Sequence, residues 1–319
     1  MNLDFIAIPL GHFLNFIYTS LKFLDPSDTQ SVAFAYGLSI ILFTLIIKTV
    51  LLPLTLKQYK STAKMQKVQP QIKELQTRHK GDKEKLNTEM MKVYKENNVN
   101  PAGGCLPLLI QFPIIITLYW VIIQPLKFML GKTPEQVTNL IAAANKIITE
   151  NHLGISLFNK TSNEIDILNF FNSNIKLIGS NWDALVGNVN LKVGELINMN
   201  FLGLHLGEKA QYSPSLLFGP KAGIYIPLLL LVIIGVAATF ISAKLMMPPK
   251  ADPAAVAKKE AGPASSMQNS MLYIGPIMTL FFAFAFPAGV VLYWTVGYIF
   301  QVFQQLYVNK NIHHRSEAK

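Results

Sequence analysis

The segment LFTLIIKTVLLPLTLKQYKSTAKMQKVQPQIKEL, residues 42–75, changes from apolar to basic near its middle. Its first half has a single charge, Lys48, and the apolar stretch extends back to Val32. A bilayer core about 30 Å thick requires about 20 apolar residues in a helix. Val32 to Leu56 therefore predicts a transmembrane helix that is followed directly by a basic segment.

Three further stretches have the length and apolar composition of transmembrane segments. They cover residues 106–130, 222–245 and 271–308. The last has no charge and suffices for two helices, which we divide at Phe286-Pro287-Ala288-Gly289 because Pro and Gly form turns. Only 14% of the 319 residues are charged, whereas soluble domains have about 25%. The sequence therefore predicts an all-α membrane protein with five transmembrane helices.

The N-terminal region differs from these spans. Residues 5–24 are apolar but contain Pro, Gly and polar residues, and Leu10, Leu14 and Ile17 fall on one helical face. The region has neither the basic start nor the cleavage site of a signal peptide. We expect an amphipathic helix that lies in the membrane interface. A sixth transmembrane helix is the alternative.

The charges between the spans predict the topology. Residues 57–100 contain eleven basic and five acidic residues, whereas residues 131–220 contain six lysines and seven acidic residues. The tail after Val308 is basic again. Because basic loops stay in the cytoplasm, we expect the N-terminus outside and the C-terminus in the cytoplasm.

Two of the connecting segments have helical patterns. In the basic segment, apolar residues recur at helical spacing on both sides of Gly81-Asp82, which predicts a hairpin of two helices. It is either a solvated loop near anionic lipid or a docking surface for a substrate, a ribosome or another partner. In the 131–221 segment we expect short helices at Glu135–Thr149 and Asp183–Met199.

These assignments divide the chain into nine parts: an interfacial helix (1–30), the first span (31–57), a cytoplasmic helical hairpin (58–105), the second span (106–130), an extracytoplasmic loop (131–221), the third span (222–245), a flexible cytoplasmic loop (246–270), the fourth and fifth spans as a tight hairpin (271–308) and a basic tail (309–319).

Lys48 is the one residue whose chemistry conflicts with its position. It precedes Lys57 by nine residues, which is about 13 Å of helix and further than a lysine side chain reaches. A charge at membrane depth costs about 2.5–3.5 kcal/mol and usually faces a watery cavity. None of the five spans contains Asp or Glu. We therefore expect a hydrated concavity around Lys48, with snorkelling to the surface as the alternative.

The remaining polar residues of the spans favour no enzyme. Gln111 and Thr117 in the second span, and the glutamines near residue 304 in the last, have the simpler interpretation of hydrogen bonds between helices or an interfacial position. A membrane-embedded enzyme needs a nucleophile and base or metal ligands at this depth. The five spans contain no His, Asp or Glu, and the chain has no Gly-rich phosphate loop. We expect no catalysis, cofactor or metal.

Four ordered blocks carry a family resemblance: residues 42–75, NPAGGCLPLLIQFPIIITLYW (100–120), FPAGVVLYWTVGYIFQVFQQ (286–305) and the shorter FLGLHLG (201–207). They resemble the YidC/Oxa/Alb family of membrane protein insertases, and the resemblance covers all five spans and the hairpin. It implies five helices around a hydrophilic groove that is open to the cytoplasm and to lipid but closed to the outside. The hairpin would cap the groove from the cytoplasm.

The resemblance also implies which residues contact a substrate. The family typically has an arginine where this sequence has Lys48, and lysine keeps the charge without the planar fork that binds carboxylates. Thr44 and Trp294 match groove-lining positions, and Gln111 and the neighbouring Tyr293 join them as candidates. Ser242 stands where many relatives have a glutamine. The large periplasmic domain of some relatives would precede the first span, and we expect it to be absent.

The function that the resemblance implies is insertion of nascent membrane proteins into the lipid bilayer of a bacterial plasma membrane. A Sec translocon and a ribosome, bound through the basic hairpin and tail, are open as further partners. A small membrane transporter or an assembly scaffold without insertase activity is the alternative. A transporter would be expected to have internal repeats and paired polar groups at the midplane, and the sequence has neither.

Overall fold

A computed structural model describes residues 4–24, 32–79, 81–99, 106–159, 163–178, 182, 186, 189–247 and 263–317. Most of these residues are helical, as the sequence predicts. The helices are α1 (Asp4–Leu24), α2 (Val32–Val50), α3 (Leu52–Arg78), α4 (Lys83–Glu96), α5 (Leu106–Ile123), α6 (Pro125–Phe128), α7 (Pro134–Glu150), α8 (Glu164–Ser173), α9 (Ile175–Ile178), α10 (Pro214–Leu217), α11 (Ala222–Leu245), α12 (Pro263–Ala285) and α13 (Ala288–Glu317). A short antiparallel pair, β1 (Asn200–Phe201) and β2 (Leu204–His205), is an addition to the predicted all-α fold.

The chain forms two compact units. The first comprises Met1–Thr44, Ile114–Ile233 and Phe282–Trp294. The second comprises Leu45–Pro113, Ile234–Phe281 and Thr295–Lys319. Each unit therefore takes residues from several of the predicted spans.

Within the described residues, α11 is the one helix that is long and apolar enough by itself to cross a membrane. A second candidate is the pair α2 and α3, which is bent by 60° at a short break. The break is at Leu51, two residues before Pro53. Proline lacks an N–H and fits the first turn of a helix better than its interior. The first predicted span therefore ends as a helix earlier than the apolar composition indicates.

Two other predicted spans are also divided differently in the structure. The second is interrupted at Gln124, where α5 ends and the short α6 begins at Pro125. The fourth is part of α12, which begins at Pro263, inside the predicted flexible loop. Residues 248–262 of that loop lie outside the described residues. The apolar parts Gln111–Ile123 and Leu272–Ala285 are shorter than a full span.

In the first unit, the 131–221 segment is folded around its own apolar core. Helix α7 begins with a capping box in which Thr133 and Gln136 exchange hydrogen bonds, as expected for a helix start of this type. The core is formed by buried side chains of α7, α8 and the residues after them, among them Leu140, Ala144, Ile147, Leu168, Phe171, Trp182, Leu191 and Ile197. This segment is therefore a small packed module and not an open loop.

The helix predicted at Asp183–Met199 is wrong for residues 189–199, whereas Val186, the other residue described in that range, is helical. Residues 189–199 contain a 3-10 turn at Val193–Glu195 and extended backbone. Asn190 has a positive φ of 50°, a conformation that ends regular helix. The second helix of the module is instead α8, which begins after the capping residue Asn163.

The N-terminal helix α1 packs one face against α6 and against this module. Gly11 lies so close to α6 that an added Cβ would be 2.2 Å from the carbonyl oxygen of Phe128. The buried hydroxyl of Tyr18 donates to the carbonyl of Leu196 at 3.3 Å and accepts from the amide of Asn198 at 3.3 Å. Helix α1 is therefore fixed to protein on one side.

The turn between α12 and α13 is bound to the segment that follows β2. The amide of Ala288 donates to the carbonyl of Glu208 at 2.7 Å, and the amide of Gly289 donates to that of Leu206 at 2.8 Å. The first N–H groups of a helix have no partner within the helix. Leu206, within the FLGLHLG block, and Glu208, just after it, therefore cap the start of α13.

In the second unit, α3 and α4 pack against each other as the predicted hairpin. Helix α3 ends at Arg78 and α4 begins at Lys83, and the side chain of Asp82 accepts from the amide of Lys85 at 2.9 Å. Val68 and Ile72 of α3 are buried. The hairpin therefore has an apolar contact of its own, while its lysines remain on the surface.

Candidate functional site

The central contact of the candidate site joins α2 and α5 within the second unit. Lys48 Nζ donates a hydrogen bond to Gln111 Oε1 at 3.3 Å, and both side chains are half-buried. The ion pairs of the described residues are Arg78–Glu74, Lys92–Glu89, Lys127–Asp4 and Lys146–Glu150, so Lys48 is in none of them. The partner of Lys48 is a neutral amide, which orients the ammonium group and does not neutralise its charge.

This pair combines two spans that the sequence could not connect. Gln111 follows Lys48 by 63 positions in the chain. A lysine on an apolar helix keeps its charge only if water or a polar group replaces its hydration. The half-buried glutamine supplies one such group, and the exposed part of Lys48 leaves a position for an acceptor from outside the protein.

The remaining candidate residues have more enclosed positions. Thr44 is fully buried in the first unit, and its hydroxyl donates to the carbonyl of Ile40 in its own helix at 2.6 Å. Ser242 is in the second unit on α11 and is 2% exposed. Tyr293 is fully buried in the first unit, with its ring centroid 6.4 Å from that of Phe43. The structure thus brings together Lys48 and Gln111 and gives these three residues packed surroundings.

Trp294 belongs to an aromatic cluster of the first unit. Its ring centroid lies 5.9 Å from that of Phe282 and 6.0 Å from that of Phe286. Phe286 in turn contacts Tyr119 of α5 at 5.3 Å. Trp294 is half-buried, so part of its ring remains accessible beside this cluster. The cluster fixes the orientation of α5, α12 and α13 at their shared end.

The glutamines near the end of the last span make hydrogen bonds within the second unit. Gln304 Nε2 donates to Thr55 Oγ1 of α3 at 2.7 Å, and the Gln301 side chain is hydrogen-bonded to the hydroxyl of Tyr59. The interhelical interpretation of these residues is therefore correct for Gln301 and Gln304. Sequence reasoning missed their α3 partners, although Thr55 and Tyr59 have the i, i+4 spacing of one helical face.

The 131–221 module contains the clearest electrostatic perturbation outside the spans. Glu164 Oε2 accepts from the amide of Leu126 at 2.7 Å and from that of Lys127 at 3.3 Å. Burial raises the pKa of Glu164 to about 7, although both amides and the charge of Lys127 act in the opposite direction. This carboxylate holds the start of α8 against the first turn of α6.

The described residues contain no group of three or more His, Cys, Asp or Glu that could hold a metal ion. Lys48 itself offers hydrogen bonding, as in its contact with Gln111, and the attraction of its positive charge. An acidic side chain is the natural ligand for such a group, because the neutral amide leaves the positive charge uncompensated.

Comparison with known proteins identifies the family. The family model described as 60Kd inner membrane protein matches residues 28–316, which is most of the chain. The chain therefore belongs to the 60Kd inner membrane protein family. This match includes all the helices described above except α1.

Individual relatives are similar over shorter segments. A protein named membrane protein insertase YidC from Clostridium perfringens (strain 13) is 46% identical over 117 residues, which are 36% of this chain and 49% of that protein. Proteins of the same name from Actinobacillus pleuropneumoniae (serotype 3) and Haemophilus influenzae (strain PittEE) are 40% and 39% identical over 154 residues, which are 48% of this chain and 26% of each relative. The matches thus span about half of the Clostridium protein and about a quarter of the other two.

Proposed function

We propose that this protein inserts nascent membrane proteins into the lipid bilayer of a bacterial inner membrane, without catalysing a covalent reaction. The observation that carries the proposal is the uncompensated ammonium of Lys48, held by Gln111 between two apolar helices. Membership of the 60Kd inner membrane protein family and the names of the relatives support the same activity.

The proposed arrangement has five transmembrane segments, with the N-terminus outside and the hairpin α3–α4 and the C-terminus in the cytoplasm. The eleven basic residues of 57–100 support this orientation because basic loops stay in the cytoplasm. Lys48 and Gln111 lie in a hydrophilic groove that opens to the cytoplasm. Ser242, which is buried in the same unit, supports its wall by packing.

The groove lowers the barrier to moving a polar segment across the membrane. Desolvating a polar group without a partner costs about 2–7 kcal/mol, depending on the reference environment. Water and the positive charge of Lys48 shorten the apolar part of the path. An acidic residue of the translocated segment pairs with Lys48 for a limited time, because hydration weakens the pair and permits release.

The apolar part of the substrate leaves along α5 and α12. Both helices have large exposed apolar side chains, including Phe112 and Trp120 on α5 and Ile277 and Phe281 on α12. Aliphatic and aromatic surfaces offer little preference over lipid tails, so a substrate helix exchanges readily between these faces and lipid. Trp294, which is half-buried beside Phe282 of α12, is assigned to the same apolar face.

Helix α1 attaches the 131–221 module to the outer membrane surface in this arrangement. Its protein-facing side includes Gly11 and Tyr18, while Phe5, Ile8 and Phe16 are exposed. Exposed aromatic and aliphatic residues on one face of a helix are typical of interfacial helices. We therefore assign the exposed face of α1 to the lipid interface.

The experiment is insertion of a small substrate with an acidic translocated tail into liposomes that contain the purified protein. Lys48→Ala should insert the substrate much less than the wild type, and Lys48→Arg should restore insertion because it keeps the charge. Insertion by Lys48→Ala at the wild-type level would refute the role of the charge. If the wild type inserts nothing, an assembly scaffold or dependence on a Sec translocon or ribosome becomes the better interpretation.

A further inference from the structure

We propose that an amide seam holds the stem of the helical hairpin against α13, and that the hairpin moves by releasing this seam. The amide seam consists of Thr55, Gln58 and Tyr59 on α3 and of Gln301 and Gln304 on α13. All five residues belong to the second unit. The proposal concerns the position of the hairpin, and its consequence for insertion rests on the proposed function.

Two hydrogen bonds hold the seam closed. Gln304 Nε2 donates to Thr55 Oγ1 at 2.7 Å, and one turn further along α3 the Tyr59 hydroxyl is hydrogen-bonded to the Gln301 side chain. The order of the two contacts is reversed between the helices, so α3 and α13 run antiparallel here. Both bonds are made by the first two turns of α3, which begins at Leu52.

The same glutamine helix is anchored on its other side to the end of α11. Asn309 Nδ2 donates to the carbonyl of Leu245 at 3.2 Å, and Gln301 Nε2 lies 3.7 Å from Met246 Sδ. The last carbonyls of a helix lack partners within it, so Asn309 supplies one to α11. Helix α13 is therefore held by α11 on one side, and the stem of the hairpin is bound to its other side.

A buried amide in the same seam opposes closure. Gln58 is only 7% exposed, and among the described residues neither its Nε2 nor its Oε1 has a hydrogen-bond partner. A buried polar group without a partner destabilises the state that buries it. Separation of α3 from α13 would let water reach this amide. In the closed state, with α3 against α13, two hydrogen bonds are favourable and the burial of the Gln58 amide is unfavourable. These opposing contributions keep the closed state close in free energy to the open state, in which the two helices are separated.

The hinge for such a movement is the break between α2 and α3. The two helices are bent by 60°, and the break is at Leu51, four residues before the first seam contact at Thr55. Helix α3 has 27 residues and is therefore about 40 Å long. A rotation of about 10° at Leu51 would displace the far end of α3 by about 7 Å. Small changes in the seam therefore produce large changes at the hairpin turn.

The experiment measures the position of the hairpin directly. Spin labels are attached at Lys85→Cys on α4 and Lys310→Cys on α13, two exposed positions, in a Cys105→Ser background. Pulsed electron resonance on the full chain in lipid nanodiscs gives the distance distribution and the ratio of attached to detached hairpins. The same distribution is recorded for Gln304→Met, Thr55→Val and Gln58→Met. Thr49→Val serves as the matched control.

The variants should change this ratio in opposite directions. Gln304→Met and Thr55→Val each remove the Thr55–Gln304 bond and should raise the detached fraction about threefold relative to the attached one. Gln58→Met removes the unpaired amide and should lower the ratio of detached to attached hairpins about fivefold or more. Thr49 is exposed and bonds to the carbonyl of Leu45 in its own helix, so Thr49→Val should leave the ratio unchanged.

The proposal is overturned if Gln304→Met and Thr55→Val leave the distribution as in the wild type. It is equally overturned if Gln58→Met increases detachment, because the buried amide would then favour closure. The distance measurement does not depend on insertion. Opposite shifts in a protein that inserts no substrate would therefore support the amide seam and refute the proposed function alone.

Discussion

Replacing Gly37 by alanine tests the docking of the β1 segment on α2 within the first unit. A Cβ built at Gly37 would lie 2.0 Å, 2.3 Å and 2.5 Å from three ring carbons of Phe201. Carbon atoms are at their optimum at about 3.5–4.0 Å, so the ring must retreat by about 1.5 Å. Phe201 is 8% exposed and has little free space for this shift.

The expected loss of stability follows from two opposing effects. Overpacking a filled site costs about 1–3 kcal/mol, and alanine gains about 1 kcal/mol over glycine in a helix. Because the approach to Phe201 is so close, Gly37→Ala should lower the free energy of unfolding by about 1–2 kcal/mol. The melting midpoint of the purified protein of 319 residues should fall by about 1.5–3 °C.

A control variant at Gly223 and a double-mutant cycle of Gly37 and Phe201 isolate the contact between these two residues. Among the described residues, none lies within 4 Å of a Cβ built at Gly223, the second residue of α11, so Gly223→Ala should not destabilise. The double variant Gly37→Ala/Phe201→Ala should be more stable than the sum of the single changes predicts, because removal of the ring relieves the clash. Additive losses, or a Gly37→Ala protein as stable as the wild type, would show that Phe201 does not dock on α2.

Three further predictions each concern a contact inside one of the two units. Because the pKa of Glu164 is raised to about 7, the stability of the wild type should fall as the pH rises from about 4.5 to about 7. Glu164→Gln should remove this pH dependence. Thermal unfolding at pH 5 and pH 8 should therefore differ for the wild type in this way and not for Glu164→Gln. Gly235→Ala would bring a Cβ within 2.7 Å of Thr295 Oγ1, so it should lower the melting midpoint, and Thr295→Ala in the same chain should restore it. Asn145→Ala should destabilise the 131–221 module by about 1–3 kcal/mol in chemical denaturation, because it removes hydrogen bonds of 2.9 Å and 2.8 Å to the carbonyl and amide of Phe158.

The sequence predicted the helices whose pattern is strong and local. The uninterrupted apolar run of 222–245 became α11 with the expected bounds, and the turn at Pro287 separates α12 from α13. Gly81-Asp82 correctly marked the hairpin turn, where Asp82 caps α4. In each case the signal is composition over a helix length or a turn residue, which acts through nearby atoms.

Contacts between distant segments were not predictable in this way. Helix α8 was missed, although five of its ten residues are apolar and Asn163 and the acidic Glu164 are typical of a helix start. The break at Leu51 depends on where Pro53 is placed in the first turn of α3, and periodicity does not determine this. Apolar composition alone assigns one continuous span across this break.

For the candidate site, the charge was predictable and its partner was not. Lys48 is conspicuous because it is the single charge in an apolar stretch. Gln111 was one of several polar residues in the spans, and only the packing of α2 against α5 selects it. The burial of Thr44 and Tyr293 was likewise unavailable from sequence, since both face the interior through helix packing.

A charge exchange between Lys48 and the substrate tests whether Lys48 receives the translocated tail. Wild type and Lys48→Glu are compared in liposomes, each with one substrate whose translocated tail is acidic and one whose tail is basic. A pair of unit charges at about 4 Å contributes about 1–4 kcal/mol between bulk water and a protein surface, so each matched combination should exceed the mismatched one about tenfold in insertion. Lys48→Glu should therefore prefer the basic tail. If both proteins insert the acidic tail equally well, Lys48 does not receive the substrate and the account is wrong.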